Sequence, residues 1–78
     1  MKIAALYKTN ITDTLQGDYI KNMLEKRLKN SVLVFNYQTT ETYIKVTSLN
    51  RYQLLAIPDF LFVLGFQCEV IDKKVVFD

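Results

Sequence analysis

The groups in this chain that bear chemistry are eight lysines, two arginines, five tyrosines, eight carboxylates and a single thiol, Cys68; histidine is absent. Without an imidazole the commonest general base is missing, and so are the usual nitrogen metal ligand and every Ser-His or Cys-His nucleophile pair. One cysteine forms no internal disulfide and builds no multi-thiolate zinc site, which fits a reducing compartment. The carboxylates Asp13, Asp18, Glu25, Glu41, Asp59, Glu69, Asp72 and Asp78 are scattered singly, without the spacing of a calcium loop. Gly17 and Gly65, the two glycines, belong to neither a GxGxxG nor a GxxxxGK phosphate loop. Cys68 stands in an apolar strand context that reads as a buried, inert thiol. A reactive thiol needs a cation or helix N-terminus beside it, which Lys73 or Lys74 would supply only through an accident of folding. Lysine or tyrosine chemistry is what remains, in a domain with little room for a substrate-sized pocket. The sequence therefore predicts no catalytic residues, no metal site and no cofactor.

The aromatic and apolar pattern carries a different expectation. Tyrosine offers contact area at little rotamer cost together with a polar tip, and is enriched at protein interfaces; Tyr37, Tyr43 and Tyr52 lie near polar neighbours. In the first two strand-like segments both alternating faces are apolar: Ala4 and Leu6 against Ile3, Ala5 and Tyr7, then Val32 and Val34 against Leu33 and Phe35. A sheet covered by helices on one side should instead alternate apolar and polar. The excess reads as one contiguous apolar patch that another chain covers. On this reading the chain is a small non-enzymatic interaction module, acting through a sheet face or strand edge, with Val32, Val34, Asn36, Tyr43 and Lys45 as the contact residues. The partner is a second copy or a larger protein. The alternative is single-stranded nucleic-acid binding on the open sheet face, with Tyr43 beside Lys45 as the key pair, helped by Tyr7 and Lys8. Lys21, Lys26, Arg27 and Lys29 make the first helix basic, although the glycine-and-aromatic run of RNA-binding sheets is missing.

The elements that must position these residues follow from periodicity. Residues 2–8 read as a strand, and residues 9–14 as a loop whose Thr12, Asp13 and Thr14 all suit a helix N-cap. Over residues 15–29 the apolar positions Leu15, Tyr19, Ile20, Met23, Leu24 and Leu28 make a helical stripe, ending near Asn30. Residues 31–38 and 42–49 read as a hairpin. A turn at Thr39-Thr40 pairs positions whose numbers sum to 79, so Phe35 faces Ile44 and Leu33 faces Val46. Asn50 and Gln53 have capping-box spacing. Pro58 then divides the following segment into two short helices, 50–56 and 58–64. Gly65-Phe66 suits a left-handed stop that packs on Leu61. Residues 67–71 and 75–77 read as a second hairpin about Asp72-Lys73-Lys74. Phe35, Phe60, Phe66, Phe77 and also Phe62 read as core.

The order is β-α-β-β-α-β with an additional C-terminal strand, an α+β single domain spanning 1–78. It has the split βαβ, ferredoxin-like sequence of elements, an antiparallel sheet with two helices on one face. Half of the 78 residues are hydrophobic and 23% are charged, which excludes a disordered chain, and a net charge of +2 does not by itself mark a nucleic-acid binder. The apolar run after Lys2 is too short for a signal peptide, and residues 54–66, broken by Pro58 and Asp59, are too few to span a bilayer. The expected setting is the cytoplasm, with no membrane partner. The excess of lysine over arginine, with frequent Asn, Ile and Thr, suits the AT-rich gene of a bacterium, or of a phage or other mobile element living in one; for a phage or mobile-element gene, modulation of a host protein is a natural role. Residues 54–70, a helix with Ile-Pro near its middle and Leu-Gly-Phe at its end leading into a strand, resemble the closing segment of peptide-binding PUB domains. The other helices of such a domain are not predicted here, so no binding residue is carried across.

Overall fold

The computed structural model describes residues 2–48 and 50–76, apart from the side chains of Arg51 and Val76. Expectations that fell on Leu49, Phe77 and Asp78 lie outside the described residues. The chain forms β1 (Lys2–Thr9), α1 (Thr14–Arg27), β2 (Val32–Tyr37), β3 (Thr42–Ser48), α2 (Arg51–Val63) and β4 (Cys68–Val76). The strands make one sheet in the order β2-β3-β1-β4 with every neighbouring pair antiparallel. This is the expected ferredoxin-like arrangement.

The hairpin register is the one that keeps apolar residues on one face: Phe35 is opposite Ile44 and Leu33 opposite Val46. Ala5, Tyr7, Leu33, Ile44 and Val46 from that face bury against Ile20, Leu24 and Leu28 below and Leu54, Ile57 and Leu61 of α2. Each buried leucine, isoleucine or valine among them contributes about 1.5–3 kcal/mol by leaving water. Asp13 caps α1, its carboxylate accepting from the Leu15 amide at 2.8 Å. The inward stripe of α1 is narrower than expected. Gly17, Ile20 and Leu24 face the sheet, and this face leaves Leu15 and Tyr19 in solvent because they lie about a quarter turn or more away.

Two element boundaries differ from the sequence reading. Residues 51–63 are one helix with Pro58 inside it. A proline there lacks the amide hydrogen that would bond to the carbonyl four residues back, which is Leu54. The Tyr7 hydroxyl donates to that carbonyl at 2.6 Å in the buried core, so a side chain from β1 replaces the missing donor and the helix continues. The C-terminal segment is likewise one strand rather than a hairpin and an extra strand. Asp72, Lys73 and Lys74 pair with Leu6, Ala5 and Ala4, and a register shift between Leu6 and Tyr7 absorbs one extra residue. At the sheet edge these charges stay in water, so extended pairing with β1 costs them no desolvation while satisfying the β1 backbone.

The stop of α2 is as expected. Gly65 has φ 93°, Phe66 N–H donates to the Leu61 carbonyl at 2.9 Å and Gly65 N–H to that of Phe62 at 3.0 Å, a Schellman closure. Asn50 caps the start, accepting from the Tyr52 amide at 2.9 Å. Gln53 does not complete the capping box; its side-chain oxygen accepts from Ser48 and Ser31 hydroxyls instead, tying α2 to β3 and to the residue before β2.

Candidate functional site

Pairing across the sheet fixes which residues share the face turned away from the helices. From edge to edge, one row is Asn36, Tyr43, Lys8 and Glu69; the next is Val34, Lys45, Leu6 and Asp72; the third is Val32, Thr47, Ala4 and Lys74. All five expected contact residues, Val32, Val34, Asn36, Tyr43 and Lys45, therefore lie together on this open face, at its β2–β3 end. Val32 is 62% exposed and Val34 51% exposed.

The expected apolar patch is not continuous, however. Strands β1 and β2 follow one another along the chain but are separated in space by β3. Lys45 stands between Val34 and Leu6, and Thr47 between Val32 and Ala4. Tyr7 is also misassigned by the sequence reading. It belongs to the helix-covered face, buried on Leu54, and so leaves Tyr43 as the one aromatic ring that the described residues place on the open face. Phe62, expected in the core, is 77% exposed.

The chemistry-bearing groups gather at one end of the sheet, around a shallow depression of about 470 Å³ lined by Lys8, Glu41, Cys68 and Glu69 among others. Lys8 Nζ lies 3.1 Å from Glu41 Oε2, and the Tyr43 hydroxyl donates to Glu41 Oε1 at 2.8 Å. The Tyr43 bond and then Lys8 hold the Glu41 carboxyl below its usual range. The same contacts raise Lys8, through its hydrogen bond and then its attraction to Glu41, and raise Tyr43, through its bond to Glu41 first. Cys68 is pushed up to about 11, by burial and then by the Glu69 charge. At neutral pH this cluster holds a carboxylate, an ammonium, a phenol and a thiol. Each shift runs away from neutral pH, so none of the four groups is brought closer to exchanging a proton there.

Two features went unread in the sequence. The first is the outer edge of β2. No described backbone group pairs with it, and the strand, VLVFNY, carries no charge and no proline. The opposite edge, β4, has a register shift and Asp72, Lys73 and Lys74, the devices that discourage strand addition. Strand order decides which strands are edges, and strand order is not legible in periodicity. The second is the outer side of α2, where Leu55, Phe62 and Val63 face solvent, with Val63 82% exposed. Its signal was available, since this helix is apolar nearly all round, with Arg51 and Asp59 as its charges.

No helix among the described residues is long and apolar enough to cross a membrane. The likeness of residues 54–70 to a PUB-domain segment comes down to a proline-containing helix and its Schellman stop. In comparisons with family models, with curated proteins and with solved structures, nothing matches this chain.

Proposed function

We propose that the chain is a non-enzymatic protein-interaction module that takes a partner's extended strand on the free edge of β2, beside Val32, Val34, Asn36, Tyr43 and Lys45. The observation that carries this reading is the contrast between the two edges. One has a register shift and three successive charges against strand addition; the other has a bare, uncharged ladder of backbone donors and acceptors flanked by exposed valines. Main-chain bonds then supply affinity, and the alternating side chains supply selectivity. The protonation states around Glu41 support a non-catalytic role. Phosphate binding on the open face is disfavoured by Glu69 and Asp72, which share it with the lysines, and by the single ring available for stacking.

The test compares immobilised wild type with Val34→Glu as bait in extract of the source cell, with hydrogen exchange on the β2 amides. A glutamate at this position has Lys45 directly across the strand pair as an internal partner, so the fold is kept while the edge becomes charged. Proteins retained by the wild type and lost with the variant, together with slowed exchange in β2, are expected. An identical set on both baits overturns the reading. So does affinity for single-stranded oligonucleotides that falls with salt, which is the signature of nucleic-acid binding.

A further inference from the structure

Resting on that reading, we propose that the strand received at β2 is β2 of a second copy, paired antiparallel about a two-fold axis at Val34 so that two four-stranded sheets become continuous. A two-fold that joins edge strands antiparallel lies perpendicular to the sheet and pairs residues of the same face. With the axis at Val34, that residue meets its own copy and Val32 meets Asn36 on the open face, while Leu33 meets Phe35 on the helix side. β2 contains no charged residue, so no pair sets like charge against like. At β4 a two-fold through Asp72, Lys73 or Lys74 would set that charge against its own copy.

What selects a second copy over an unrelated strand is the charge of α1. This helix packs on β2, and the Tyr37 hydroxyl donates to Asp18 Oδ1 at 3.2 Å. It runs opposite to β2, so Asp18 lies over the strand's end and the basic last turn lies towards its start. The acids Asp13 and Asp18 sit in the first half of the helix and its cap, while Lys26 and Lys29, with Glu25 beside them, sit in and just after its last turn; Arg27 is turned towards α2, its guanidinium 4.8 Å from the centre of the Phe60 ring. Asp13, Asp18, Lys26 and Lys29 are exposed. A two-fold at Val34 lays the two α1 helices antiparallel on either side of the axis, which sets the acidic half of one beside the basic half of the other. An ion-pair arrangement of this kind orients the partner and is weakened by salt.

Sedimentation equilibrium on the full chain tests this. A monomer–dimer equilibrium is expected, weaker at high salt, and weakened at least about tenfold by Val34→Glu, whose two carboxylates would meet on the axis. Circular dichroism confirms that the variant is folded. The register is read by Val34→Cys in a Cys68→Ser background: residues opposed in an antiparallel pair lie within disulfide reach, at about 4.5–5.5 Å between Cα atoms, so oxidation should yield a covalent dimer. A wild type that stays monomeric at high concentration and low salt overturns self-pairing, as does a folded Val34→Glu that dimerises unchanged. A crosslink obtained through Phe35→Cys but not Val34→Cys overturns the register. The edge-docking reading fails separately, on identical proteins captured by both baits.

Discussion

Pro58 has no amide hydrogen to offer the Leu54 carbonyl, and the Tyr7 hydroxyl takes that place from a different element. Removing the hydroxyl strands a buried acceptor, which costs about 1–3 kcal/mol, so Tyr7→Phe should lower the urea midpoint accordingly. The dependence on Pro58 is the sharper outcome. In a Pro58→Ala background the restored amide donates to Leu54 itself, and Tyr7→Phe should then cost distinctly less; equal costs in both backgrounds would show that the two residues are not coupled. The same residue governs behaviour in alkali. Burial pushes Tyr7 up to about 12, and burial with the Asp18 hydrogen bond pushes Tyr37 up to about 12, from an ordinary 10.0. Because the folded state holds these protons more tightly, their contribution is complete below pH 10 and is lost as pH rises towards 12, while Cys68 adds an earlier loss from its ordinary 9.0 towards about 11. Unfolding should therefore become easier from about pH 9 upward, and the late part of the native protein's phenolate absorbance rise should shrink in Tyr7→Phe. A late rise unchanged in Tyr7→Phe would contradict the burial argument.

α1 reaches β2 because position 17 has no side chain. A Cβ built on Gly17 would overlap the hydroxyl and the adjoining ring edge of Tyr37, so the helix sits directly on the end of that strand. Alanine is intrinsically better than glycine in a helix by about 1 kcal/mol, yet Gly17→Ala should destabilise by about 1–3 kcal/mol through overpacking. The sign should reverse once the ring is gone: with Tyr37→Leu in place, Gly17→Ala should stabilise, and a thermal melt of the four combinations reads this directly. Loss of stability in both backgrounds would mean that the ring is not the obstacle. This contact also marks how far sequence reading goes. Element order, the hairpin register and the Gly65 stop are local or period-two properties, and they were legible. Tyr37 meeting Gly17, or Tyr7 meeting Leu54, depends on which strands become neighbours, and no spacing along the chain encodes that. The division of α2 at Pro58 and the hairpin at Asp72-Lys73-Lys74 failed for the same reason, since in each case a residue of β1 satisfies what local rules count as broken. Val32, Val34, Asn36, Tyr43 and Lys45 were placed on one face because alternation alone decides it. The break in their apolar patch was hidden because β3 inserts between β1 and β2.

A molecule with a radius of gyration of 11.7 Å has a large surface for its volume, and this one leaves apolar side chains on two separate sides. One side is the β2 edge with Val32 and Val34. The other is the outside of α2 with Leu55, Phe62 and Val63, continuing through Leu64 to a shallow groove of about 430 Å³ that Leu15 and Tyr19 also line. The β2 edge lies at the rim of the sheet, whereas Leu55, Phe62 and Val63 lie on the outside of the helix layer, where α2 packs on β3 and β4, so the two surfaces should act independently. The core of α2 is carried by Leu54, Ile57 and Leu61, all fully buried, and the exposed Phe62 and Val63 are not part of it. Phe62→Lys combined with Val63→Lys should therefore shift stability by no more than about 0.5 kcal/mol, aided by cations in a last turn that has none. Leu61→Ala, by contrast, should cost about 2–5 kcal/mol. The double lysine variant should also elute earlier from a hydrophobic-interaction column and keep the wild-type association constant in sedimentation. If association disappears while the fold persists, the surface that joins molecules is α2 rather than the edge of β2, and the contrast between the two sheet edges has been given the wrong meaning.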